Sequence, residues 1–133
     1  MDATGQGVFP IVPYPEPRAG LRWLEEALGA QAVAVYPPDP DEPLAHAEVR
    51  VGGGIVMLND ARRVDEGPFA LRDPVLVYVV VDDPDSLHAR AAAAGAEVVM
   101  GLTNQDYGSR EFAVRDPGGN VWCFGTYRPQ ATA

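Results

Sequence analysis

Lysine is absent from this 133-residue chain: its ten cationic side chains are all arginine, set against nineteen acidic residues, for a formal net charge of −9. A protein that grips nucleic acid by neutralising phosphates needs a basic surface. Here the longest basic run is the pair Arg62 and Arg63, with Asp65 and Glu66 just behind it, so no nucleic-acid partner is expected. Cysteine occurs once, at Cys123, which forbids an intramolecular disulfide and fits a reducing compartment. No apolar run approaches the ~18 residues of a membrane span, and residues 1–10 lack a basic region followed by an apolar one. The expectation is a cytoplasmic protein with no membrane partner.

What is present is the composition of a globular domain, 47% hydrophobic and 22% charged, enough to bury roughly two-thirds of the unfolded surface in one core. An apolar run, Val8 to Tyr14, is followed by Glu16, Pro17 and then Leu21, Leu24 and Leu28 at helical spacing before Gly29. Proline in the first turn and glycine after the last mark the ends of a helix. Three strands follow, Ala32 to Tyr36, Leu44 to Val51 and Gly54 to Leu58, with Gly52 to Gly54 as a hairpin turn. The order then recurs. Val75 to Val81 reads as a strand, Asp83 and Pro84 open a helix containing Leu87 to Ala94, Gly95 closes it, and Glu97 to Met100, Arg110 to Arg115 and Val121 to Thr126 read as strands.

Sliding the chain on itself by 66 residues places Leu21 on Leu87, Gly29 on Gly95, Val33 on Val99, Ala47 on Ala113 and Gly52-Gly53 on Gly118-Gly119. Helix ends and glycine turns thus match in one register. The reading is an α+β fold, residues 1–133 as a single domain of two βαβββ modules at about 8–60 and 74–127, with a polar linker at 61–73. Alternation sets Ala47, Val49 and Val51 on one face of their strand and His46, Glu48 and Arg50 on the other. Likewise Val56 and Leu58 oppose Met57 and Asn59, and Trp122 and Phe124 oppose Cys123. One face packs under a helix; the other is mixed, as a cavity wall would be.

The stretch Arg110-Glu111-Phe112-Ala113-Val114-Arg115-Asp116-Pro117-Gly118-Gly119-Asn120-Val121-Trp122-Cys123-Phe124 resembles the C-terminal hairpin of bleomycin-resistance-like and PhnB-like members of the vicinal-oxygen-chelate superfamily. His46 to Gly52 is similar to the PhnB-like third strand. The resemblance covers about Val8 to Pro129. It implies two modules forming a curved mixed sheet with a cleft, a homodimer, and a small-molecule ligand in the cleft. Metal-dependent members of that superfamily carry His or Glu ligands on the first and last strands of each module. The corresponding last-strand positions here are Met57 and Cys123, and neither Val8 to Tyr14 nor Val75 to Val81 contains His, Asp, Glu or Cys. With donors so few, no metal and no cofactor are expected.

The expected ligand-binding residues are therefore His46, Glu48, Arg50, Met57, Tyr78, Tyr107 and Cys123, with no catalytic residue assigned. The leading expectation is a binder that sequesters a small molecule such as an antibiotic, the net negative charge favouring a cationic one. The alternative is a metal-independent lyase, isomerase or hydrolase of a small oxygenated metabolite, for which Glu48 with His46 or Tyr78 would be the acid or base. An interaction subunit without a ligand stands behind both. His88, beside Arg90 on a helix, reads as solvated, and Trp122 as core. Gly101 to Ser109 reads as a long polar loop.

Overall fold

The computed structural model describes residues 5–62, 68 and 73–130. The linker expected at 61–73, with Arg63, Asp65 and Glu66, lies mostly outside these residues. Ten elements follow in order: β1 (Ile11–Tyr14), α1 (Pro17–Leu28), β2 (Gln31–Tyr36), β3 (His46–Val51), β4 (Gly54–Asp60), β5 (Leu76–Val80), α2 (Pro84–Ala93), β6 (Glu97–Asn104), β7 (Arg110–Arg115) and β8 (Val121–Gly125). They form two four-stranded sheets of the same topology, β1-β4-β3-β2 and β5-β8-β7-β6. In each, the first strand pairs parallel with the last and the other pairs are antiparallel. This is the expected α+β fold of two βαβββ modules.

Local chemistry accounts for the helix ends. Pro17 opens α1, and Gly29 closes it at φ 65° with its N–H on the Leu24 carbonyl, a left-handed cap that glycine adopts without strain. Asp83 caps α2 by accepting from the Ser86 N–H, which supplies one of the bonds a helix start lacks. α1 buries Leu21, Leu24, Ala27 and Leu28, one face at helical spacing, against Ala47, Val49 and Leu58 of the first sheet. Phe112, Val114, Trp122 and Phe124 of the second sheet belong to the same core. The helices cover one face of each sheet; the opposite, open faces carry the mixed residues.

The modules are tied together by polar contacts as well as by the core. Arg90 of α2 donates to the carbonyls of Glu25 and Glu26 at 3.2 and 3.3 Å, a cation at the C-terminal end of α1 where unpaired carbonyls gather. Across the β7–β8 turn, the buried Asp116 collects five donors. Its Oδ2 accepts from the Tyr14 hydroxyl at 2.6 Å, Trp122 Nε1 at 3.0 Å and Asn120 Nδ2 at 3.2 Å, while Oδ1 accepts from the N–H groups of Gly118 and Asn120 at 2.9 Å. Asn120 also donates to the Pro13 carbonyl and accepts from Val75 N–H. The Asp-Pro-Gly-Gly-Asn turn is thus a knot joining β1, β5 and β8. Burial pushes the Tyr14 phenol far above its usual pKa, and the Asp116 charge beside it adds to the shift.

Several boundaries differ from the sequence expectation. β1 begins at Ile11 rather than Val8, and β3 at His46 rather than Leu44; Pro10 and Pro43, which have no N–H to give a ladder, precede the two starts. α2 begins at Pro84 as expected, with Asp83 as its cap. β6 runs on to Asn104, so half of the segment expected as a loop is strand: two register shifts against β7 absorb Gly101 and its neighbours. The turn proper is Gln105 to Ser109, closed by Gln105 N–H to the Ser109 carbonyl at 2.7 Å. His88, expected as solvated, is half-buried: its ring stands perpendicular to that of Phe112 with centroids 5.2 Å apart, because α2 lies over the aromatic face of the second sheet.

Candidate functional site

The seven expected residues sort onto two open faces. On the first sheet, His46, Glu48 and Arg50 alternate with the buried Ala47, Val49 and Val51 along β3. Met57 of β4 lies opposite Glu48 in the antiparallel register. His46 Nε2 lies 2.9 Å from Glu48 Oε2, and the His46 ring stacks on Tyr36 at a centroid distance of 6.4 Å. On the second sheet, Tyr78 of β5 lies opposite Cys123 of β8, and Tyr107 reaches over them from the β6–β7 turn. No hydrogen bond, ion pair or ring contact among the described residues joins the two groups. Tyr78 does not meet Glu48 or His46; its hydroxyl donates to the Tyr127 carbonyl at 2.7 Å.

Glu111 and Ser109 complete the second group, and the sequence reading passed over both. Glu111 is 5% exposed, and the Tyr107 hydroxyl lies 2.9 Å from each of its carboxylate oxygens. Ser109 Oγ accepts from Tyr127 N–H at 3.0 Å. A signal was available: Glu111 alternates with Phe112 and Val114, which places it beside Ala113 on the open face. Gly125 makes the cluster possible, since a Cβ there would lie 2.6 Å from the Tyr78 hydroxyl, 2.7 Å from Glu111 Cγ and 3.0 Å from Ser109 Oγ.

The electrostatics of this cluster follow from the carboxylate. The hydrogen bond to Glu111 pushes the Tyr107 phenol up to about 12. Burial raises the Tyr78 phenol, with a further contribution from the Glu111 charge. Burial also raises the Cys123 thiol, and Glu111 adds to it, so Cys123 is a protonated thiol at neutral pH rather than a nucleophile.

Where the modules meet, β5 packs against the β3–β4 turn. A Cβ on Gly52, whose φ is 59°, would lie 2.7 Å from Val79 Cγ1. A cavity of about 520 Å³ opens beside this contact, lined by Gly52 to Ile55, by Val77 to Asp82 and by Arg128. Of the seven expected residues it takes in Tyr78 alone. Among the described residues no group of three or more His, Cys, Asp or Glu is placed to hold a metal ion, and no helix is long and apolar enough to cross a membrane.

A family model described as the glyoxalase/bleomycin resistance protein/dioxygenase superfamily matches residues 9–124. The chain belongs to that superfamily. Among solved structures it is similar to TioX from Micromonospora sp. ML1, 29% identical with a TM-score of 0.78 over 90% of this chain and 98% of that one. It also resembles a lactoylglutathione lyase from Agrobacterium tumefaciens, 17% identical with a TM-score of 0.69 over 93% and 95% of the two chains; at that identity the likeness concerns the fold alone. Uncharacterized proteins of Mycobacterium bovis and Mycobacterium tuberculosis are each 40% identical over 94 residues, 66% of this chain and 62% and 55% of theirs. The chain therefore spans under two-thirds of the length of these curated relatives. Superfamily membership carries small-molecule binding and frequent dimerisation as general properties.

Proposed function

We propose that this chain binds a small organic molecule, of the kind an antibiotic exemplifies, on the open faces of its two sheets, and holds it without transforming it. The observation that carries this reading is the donor set at the superfamily's metal positions. The last-strand positions Met57 and Cys123 lie in register with Ile11 of β1 and Tyr78 of β5 respectively. An alkyl, a thioether, a phenol and a single thiol offer too few donors for a divalent cation, which needs three or four oxygen, nitrogen or thiolate donors at about 2.0–2.3 Å. The same set suits an organic ligand, as it offers apolar walls with a few polar groups. His46, Glu48, Arg50 and Met57 would contact the ligand from the first sheet, and Tyr78, Tyr107 and Cys123 from the second. Exposed apolar side chains at Ile11, Tyr36 and Leu76 are what a second copy would cover in a homodimer that brings open faces together.

The test is native mass spectrometry of untagged protein purified without chelator and then titrated with Ni²⁺, Zn²⁺, Mn²⁺ and Fe²⁺. A metal-free dimer carrying an organic adduct is expected. One tight metal per site overturns the reading. The His46–Glu48 contact at 2.9 Å favours a second reading, an acid or base pair acting on a small oxygenated metabolite; Glu48→Gln would then abolish turnover of a retained substrate while leaving its binding intact.

A further inference from the structure

Two carboxylates are buried in the β7–β8 hairpin, and they are treated differently. Asp116 receives five donors from three side chains and two backbone groups. Glu111, equally buried at 5% exposure, receives one phenol hydroxyl shared between its two oxygens. A carboxylate offers about four lone-pair sites, and a buried one without a cation costs stability. No arginine or histidine reaches Glu111 among the described ion pairs. The adjacent Arg110 is turned away and engages Asp85 through Nε at 2.6 Å and Nη2 at 3.1 Å, and Arg115 pairs with Glu97.

The surroundings of Glu111 are aromatic. Tyr107 and Tyr127 stand edge to face, with centroids 6.0 Å apart and planes at 85°, and Tyr78 is pinned to the Tyr127 carbonyl. Tyr107 is 58% exposed and sits on a short turn, so its hydroxyl can shift off the carboxylate while its ring stays beside Tyr127. Perpendicular aromatic walls beside a carboxylate are the surroundings that recognise an organic ammonium ion, through the ring faces and the charge together. A metal ion is the weaker occupant, since Cys123 is the only other metal-ligating side chain that the cluster supplies.

We infer that Glu111 is the anchor for an organic ammonium group, which displaces the Tyr107 hydroxyl from the carboxylate and is enclosed by Tyr78, Tyr107 and Tyr127. This rests on the small-molecule reading above and names the chemistry of the ligand's anchoring group. No covalent step is involved: a hydroxyl hydrogen bond is exchanged for an ammonium one, and the freed phenol is exposed to water.

The experiment compares phenethylammonium with its neutral isostere 2-phenylethanol, titrated into ¹⁵N-labelled full chain and followed by amide shifts at Tyr107 and Glu111. The wild type should bind the ammonium at least tenfold more tightly than the alcohol, and Glu111→Gln should remove that preference. Tyr107→Phe keeps the ring and deletes the competing hydroxyl, so it should tighten ammonium binding at least threefold; it also decides the matter if Glu111→Gln does not fold. Equal affinity for the two probes, an unchanged preference in Glu111→Gln, or no tightening in Tyr107→Phe overturns the inference. Because the mass-spectrometric test does not depend on Glu111, an organic adduct found there while these probes fail would leave the binding reading standing without this anchor.

Discussion

Removing the Asp116 carboxylate should cost more stability than any other single polar change in the described structure. In Asp116→Ala, the Tyr14 hydroxyl and Trp122 Nε1 lose their acceptor inside the protein, Asn120 Nδ2 loses one of its two, and two backbone N–H groups lose theirs at the turn. Hydrogen bonds to a charged group contribute about 1.5–3 kcal/mol each, an orphaned buried donor costs about 1–3 kcal/mol, and members of one network do not add. Trp122, Tyr14 and Asn120 are all essentially inaccessible, so water cannot replace the lost acceptor for three of the five donors. The expected loss is about 4 kcal/mol. Asp116→Asn retains one acceptor oxygen for the turn and presents an NH₂ group to the Tyr14 oxygen, leaving Trp122 unpaired and Asn120 Nδ2 with the Pro13 carbonyl alone, for about 2–3 kcal/mol. With an unfolding entropy of about 2.1 cal/mol/K per residue, these losses correspond to Tm decreases of roughly 14 °C and 9 °C. Urea unfolding followed by tryptophan fluorescence reads both, since Trp122 is part of the network. A loss below about 1 kcal/mol in Asp116→Ala, at unchanged m-value, would refute the assignment of Asp116 as the knot that joins the modules.

Three further outcomes are expected. Stability should fall as pH rises above about 10: the Tyr14 pKa is raised in the fold, so the unfolded chain releases that proton first, at a slope approaching 1.4 kcal/mol per pH unit, and Tyr14→Phe should remove that part of the slope in urea titrations. Gly20→Ala should destabilise α1 by about 1–3 kcal/mol even though alanine is the better helix former, because the new Cβ would lie 2.5 Å from the Tyr14 ring; a gain in Tm would contradict the close packing of α1 on β1. Alkylation of Cys123 by iodoacetamide at pH 8 should be slower than that of a peptide thiol and faster in Glu111→Gln, because burial and the neighbouring carboxylate both hold the thiol protonated; equal rates in the two proteins would separate Glu111 from Cys123.

The modular architecture was legible because it rests on short-range chemistry. Proline and glycine at helix ends, period-two alternation in β3, β4 and β8, and a repeat in one register are properties of local sequence, and they recur in the observed elements. The length of β6 was not legible, since Gly101, Thr103 and Asn104 read as loop in isolation; the ladder to β7 pulls them into the sheet. The half-burial of His88 was not legible either, because it depends on where α2 lands.

The candidate site divides the same way. Alternation alone set His46, Glu48 and Arg50 opposite the buried face of β3, and the paucity of metal donors on the first and last strands of each module is a fact of residue type. Which residues meet is a matter of long-range packing. The sequence determines that Tyr78, Tyr107, Ser109, Glu111, Cys123 and Gly125 exist; only the pairing of β5 with β8 and of β7 with β8, together with the tight turn at 105–109, gathers them around one carboxylate. The same holds for Tyr14 and Asp116, 102 residues apart in sequence and 2.6 Å apart in space. Helix caps and strand faces need only neighbours along the chain, whereas the environment of a buried charge is set by every segment that shuts water away from it.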